Sequence, residues 1–126
     1  MGFWRKEVIE PALDAETLLH IEQQKAWIGA EPSNPTPYHN LAQLYRMQNR
    51  QEEALGLLLE SVRLDAAFAP AHMALAEIYS VRADYAAAWR HARLAQRHGD
   101  AAAVALLTRH NIPEPPLTGD PREGRW

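Results

Sequence analysis

An all-α fold is what this sequence predicts: a short solenoid of antiparallel helix pairs closed by a C-terminal capping helix. Three observations carry that expectation. The stretch from Tyr38 to Ser61, YHNLAQLYRMQNRQEEALGLLLES, partly repeats 34 residues later, so that Leu41 falls on Leu75, Ala42 on Ala76, Tyr45 on Tyr79 and Ala54 on Ala88. A period of this size belongs to stacked helix-pair arrays, whose units bury their apolar faces only against each other. The 126 residues are 47% hydrophobic, with Ala and Leu dominant and β-branched residues scarce, a balance that favours helix over strand. Helix punctuation then falls where the period needs it, at Asn34-Pro35-Thr36-Pro37, at Asn49 and at Gly99.

Taken in order, residues 1–13 form an apolar lead-in with Phe3, Trp4, Val8 and Ile9, and Pro11 interrupts any long helix there. Two uses stand open for it: laying Trp4 on the domain, or docking on a partner or a membrane surface. A helical domain spans 14–110. Asp14 is a good N-cap for a helix to about Ala30, with Leu18, Ile21, Lys25 and Ile28 along one face. That helix stands as the second half of an otherwise missing repeat and covers the first full copy.

Thr36 as cap, with Pro37 in the first helical position, starts a helix to about Met47. Asn49 suits a left-handed turn, and the partner helix runs from about Gln51 to Leu64 with Ala54, Leu58 and Ser61 inward. Ala42 and Ala54 let two backbones approach closely, and Tyr45 fills the space beside them. In the second copy a helix spans about Pro70 to Val81, a turn follows at 82–84, and a helix runs from Tyr85 to His98 before Gly99 stops it. Ala88, Ala92 and Ala95 form its close-packing stripe. Asp100 caps a last helix to about His110, with Val104 and Leu107 inward and Trp89 beneath it. Arg109 falls where the period wants Leu, so this helix closes the array rather than extending it. The tail 111–126 holds Pro113, Pro115, Pro116 and Pro121 with two glycines and no periodicity, which reads as extended or disordered chain.

Composition narrows the chemistry. With no cysteine there are no disulfides, no thiolate catalysis and no Cys-based metal sites. The charged start, with Arg5, Lys6, Glu7 and Glu10, has no apolar leader, and no window approaches a membrane span. A cytoplasmic protein is the default expectation, with extracellular assembly after loss of a leader as the alternative. G-x-S-x-G, phosphate-cradling glycine loops and H-E-x-x-H are absent, so no enzyme and no cofactor are expected. Of the six histidines, His91 and His98 share a helix face but stand roughly 10 Å apart along the axis. His39 and His72 could approach across helices, yet a metal site needs three or four ligands, so no metal is expected. Arg90, Arg93 and Arg97 form a basic stripe without interleaved aromatics, which reads as a solvated face rather than a nucleic-acid footprint.

Charge is uneven along the chain. Residues 1–34 carry a net −3 and residues 69–110 a net +2, within an overall −3. Such asymmetry can steer association.

Tyr38, Leu41, Ala42, Tyr45 and Ala54, followed by His72, Leu75, Ala76, Tyr79 and Ala88, resemble the tetratricopeptide repeat. Its pattern is an aromatic, then Leu and a small residue, then Tyr, then a buried Ala. The resemblance covers residues 35 to 100 closely and implies a right-handed α-solenoid with two full repeats and flanking helices. It also implies that the first helix of each pair lines a groove holding an extended peptide or a partner helix. Carried onto this chain, the groove comprises Thr36, His39, Asn40, Gln43, Arg46 and Met47, with Met73, Ala74, Glu77 and Ser80 from the second copy. Arg46 is its only cation, which argues against the subset of the family that clamps a C-terminal carboxylate. Two functions follow as expectations: an adaptor or scaffold that binds a protein or peptide, and a structural subunit that stacks head-to-tail into a homo-oligomer or filament. The anchors for self-association would be Phe3, Trp4, Arg90, Arg93, Arg97 and Trp126.

Overall fold

The computed structural model describes residues 2–116, with side chains from Asp14 onward. Among the described residues the fold is all-helical: α1 (Gly2–Ala30), α2 (Pro35–Met47), α3 (Gln51–Leu64), α4 (Ala69–Val81), α5 (Tyr85–Arg97) and α6 (Ala102–Arg109). Packing runs between neighbours in sequence, most extensively α2 on α3 and α4 on α5, then α1 on α2, α3 on α4 and α5 on α6. Two helix pairs are thus stacked in a solenoid-like row, with α1 covering one end and α6 the other.

Small residues let these helices touch. Ala42, Ala54, Ala88, Ala92 and Ala95 are completely buried. One core cluster joins Ile21 of α1 to Leu41, Tyr45, Leu58 and Leu75, and a second gathers Ala76, Ala88, Trp89, Ala103 and Leu107 under α6. Ser61 is buried where the period wants a small side chain, and its hydroxyl donates to the Pro35 carbonyl at 3.0 Å.

Four helices end in the same way. At the ends of α2, α4, α5 and α6 the backbone turns left-handed at Asn49 (φ 60°), Ala83 (φ 62°), Gly99 (φ 101°) and Asn111 (φ 57°). The next N–H then reaches back five residues, from Arg50 to Tyr45, Asp84 to Tyr79, Asp100 to Ala95 and Ile112 to Leu107, at 2.8–3.0 Å. This six-to-one closure satisfies a carbonyl the helix end leaves open.

Three expectations need correction. The first helix does not start at Asp14: it runs from Gly2, and Pro11 lies within it. A proline removes one backbone donor and displaces one carbonyl, which a helix with residues on both sides can absorb by bending. On that helix Ile21 is buried and Ile28 packs on the core, but Leu18 is 53% exposed, because α2 covers only a narrow stripe of it. The cap of α2 is Asn34 rather than Thr36: the Asn34 side chain accepts from the Thr36 N–H at 3.0 Å, which places Thr36 inside the first turn. Residues 112–116 follow α6 as non-helical chain. Ile112 packs on the second core cluster, and its carbonyl accepts from the Trp89 indole N–H at 3.1 Å.

Candidate functional site

The face shared by α1, α2 and α4 is tied together by polar side chains. Asn40 Nδ2 donates to Gln24 Oε1 at 3.2 Å, linking α2 to α1. Arg46 Nη1 donates to Gln43 Oε1 at 3.2 Å and lies 3.8 Å from Glu77 Oε1, linking α2 to α4. A partly exposed ion pair of this length contributes about 0–1 kcal/mol, so its main effect here is to orient both side chains. Between α1 and α2 a depression of about 330 Å³ is lined by His20, Gln23, Gln24, Asn40, Gln43 and Leu44.

The ten groove residues expected from the sequence divide unevenly. Asn40, Gln43, Arg46 and Glu77 meet in the polar strip just described. Met47 stands 74% exposed at its margin. Thr36 is half-buried in the first turn of α2, and the Ser80 hydroxyl donates back to the Glu77 carbonyl at 2.8 Å. His39 is half-buried with its ring edge-on to Phe68, centroids 5.9 Å apart. Burial, reinforced by nearby Arg46, lowers its pKa against the opposing hydrogen bond with Asn40, so the ring favours its neutral form. Met73 leans onto the second core cluster. Ala74 is not a groove residue: it is 1% exposed, because α4 is the central helix and is covered by α3, α5 and α6. One exposed neighbour escaped the sequence argument. Val81 stands 86% exposed, 34 residues after Met47, and the repeat period was the signal that could have found it.

A second, larger cleft lies on the other side of the second helix pair. Its volume is about 630 Å³, and it is walled by Ala86, Trp89, Arg90, Arg93, Leu94 and Arg97 of α5 and by Glu114, Pro115 and Pro116. Arg93 grips Glu114 with a two-pronged fork, Nε to Oε2 at 2.9 Å and Nη2 to Oε1 at 2.5 Å, and its guanidinium lies 5.2 Å from the Trp89 ring centroid. The Arg93 hydrogen bonds hold the Glu114 carboxyl below the usual carboxylate range. The basic stripe is therefore not simply a solvated face. Nothing local in the sequence marks this contact, since the two residues are 21 positions apart.

The histidines have another arrangement. His72 meets His91, not His39, with the two Nδ1 atoms 3.0 Å apart inside the second helix pair. Among the described residues no group of three or more His, Asp or Glu could hold a metal ion, and no helix is long and apolar enough to cross a membrane. The anchors Phe3, Trp4 and Trp126 lie outside the residues whose side chains are described.

Fold and surface together define a class: an all-α, solenoid-like stack of helix pairs that presents amide, guanidinium and thioether groups on its open faces. Compared with protein-family models and with curated protein sequences, the chain matches none.

Proposed function

We propose that the chain is a non-enzymatic interaction module of tetratricopeptide type that holds an extended peptide or a partner helix against the α2–α4 face. The observation that supports it best is the polar strip from Gln24 through Asn40, Gln43 and Arg46 to Glu77, bordered by the exposed Met47 and Val81. Asn and Gln amides both donate and accept, which matches the alternating groups of a peptide backbone. Methionine adapts its shape to varied apolar partners. The test is capture of partners by the wild-type chain and by an Asn40→Ala, Arg46→Ala double variant. Both residues are half-buried and belong to neither core cluster, so the variant should keep its helical circular-dichroism signal while losing partners. A variant that retains every partner sinks the proposal.

Self-assembly is the second function the surface favours. α1 leaves Leu18 and Leu19 53% and 57% exposed on an acidic segment, while α5 and α6 carry the basic end. Joining those unlike ends would build a head-to-tail contact, which generates rings or filaments.

A further inference from the structure

Among the described residues, the α5 cleft already holds a ligand-like segment. Residues 112–116 cross it as non-helical chain, fastened by the Trp89–Ile112 hydrogen bond and the Arg93–Glu114 fork. The cleft is only partly used by them. About 630 Å³ remains beside Pro115 and Pro116, and among the described residues neither Arg90 nor Arg97 forms an ion pair. Both belong to the wall of this cleft, one helical turn to either side of Arg93.

The spacing of the guanidiniums indicates what would fill the space. Arg90, Arg93 and Arg97 rise about 4.5 and 6 Å along the helix axis. An extended proline-rich chain advances about 3.1 Å per residue with three residues per turn, so carboxylates three positions apart share one face about 9 Å apart, close to the roughly 10.5 Å between Arg90 and Arg97. Leu94 and Ala86 supply apolar contact for intervening prolines. We propose that this cleft binds an acidic, proline-interrupted extended segment of a partner protein, and that Glu114 occupies the central subsite in cis.

A single-stranded nucleic acid is the competing polyanion. It is disfavoured because, among the described residues, the cleft has one aromatic side chain, Trp89, whose N–H is already committed to Ile112, and because the whole chain is net negative. The site is separate from the α2–α4 face, so it stands or falls independently of the function proposed above.

The experiment is fluorescence anisotropy with the full chain and a labelled peptide, EPEPPEPEP, against a neutral control, QPQPPQPQP. Saturable binding of the acidic peptide is expected, weakened about tenfold or more by an Arg90→Glu, Arg97→Glu double variant. Glu114→Gln should bind about threefold or more tighter, because removing the internal competitor raises the open fraction. Asn40→Ala with Arg46→Ala should bind as wild type does, which separates this site from the groove. Circular dichroism verifies that each variant is folded. The proposal is overturned by absence of binding to both wild type and Glu114→Gln, by equal binding of the neutral peptide, or by indifference to the double charge reversal. Tighter binding of an oligothymidylate through Arg90 and Arg97 overturns it in favour of nucleic acid. A dimer that disappears in Glu114→Gln, without peptide binding, overturns it in favour of strap exchange between copies.

Discussion

His72 and His91 form the most chemically constrained contact in the molecule. His72 Nε2 lies 2.7 Å from the Ala66 carbonyl, which can only accept, so that nitrogen carries the proton. A neutral His72 then offers a lone pair at Nδ1, and His91 Nδ1–H donates to it across 3.0 Å. His91 also stacks on Tyr79. Burial, then His72, then Arg90 push the His91 pKa down to about 4, and burial also lowers His72 against the opposing hydrogen bond to the Ala66 carbonyl, with His98 adding to the lowering and Asp65 opposing it. Both rings therefore bind protons more weakly in the folded chain than in the unfolded one. The stability at stake is complete above about pH 6.5 and is lost as the pH falls through the window toward 4. For His91 alone the loss amounts to about 3 kcal/mol. Urea unfolding at pH 7, 5.5 and 4.5 measures it: wild type should weaken steeply, and His91→Leu should show a shallower pH dependence. Identical slopes would refute the assignment. Six histidines were visible in the sequence, but this pair is 19 positions apart, and only packing brings it together.

At the scale of the element, helix ends test the backbone directly. Asn49 and Gly99 stand at left-handed positions where such residues are at home, and both were legible from residue type. Ala83 was not, although it lies one 34-residue period after Asn49, because alanine carries no turn signal of its own. An L-residue with a Cβ pays about 1–2 kcal/mol in this region, partly offset for glycine by about 0.4–1 kcal/mol of added unfolded-state entropy. Ala83→Gly should therefore stabilise the chain by about 0.5–1 kcal/mol, and Gly99→Ala should destabilise it, since φ 101° suits glycine alone. Thermal unfolding of the two variants checks both signs. A lower midpoint for Ala83→Gly would contradict the strain argument. The interior of α1 shows the complementary limit. Pro11 is a strong local stop signal, and the helix nonetheless passes through it, because one missing donor weighs little against continuous turns on either side.

For the whole molecule the open question is whether copies join end to end. Residues 1–34 are acidic and 69–110 basic, so attraction between unlike ends would fall with salt. If the self-assembly reading holds, light scattering should give a mass that grows with concentration at low salt and falls toward one chain at high salt. A single-chain mass throughout would remove that reading and leave the interaction module standing alone. The alternating stack of helices was legible in advance, since Ala42 repeats at Ala76 and Ala54 at Ala88, the places where backbones must approach. The candidate site was legible only in part. Asn40, Gln43, Arg46 and Glu77, which the family resemblance implied share a face, are linked through hydrogen bonds and an ion pair, whereas Ala74, put there by the same resemblance, is sealed inside by the crowding around α4.

By itself the sequence determined the helices, the sites of their close approach and most of their stops, because caps, turns and small-residue stripes act between near neighbours. Tertiary structure alone decided which distant groups meet: Asn40 with Gln24, His72 with His91 and Arg93 with Glu114, separated by 16, 19 and 21 positions. The physical reason is rotation. A turn of a helix by one residue, 100° about its axis, exchanges a buried side chain for an exposed one, and that angle is set by how all neighbouring helices fill the space between them.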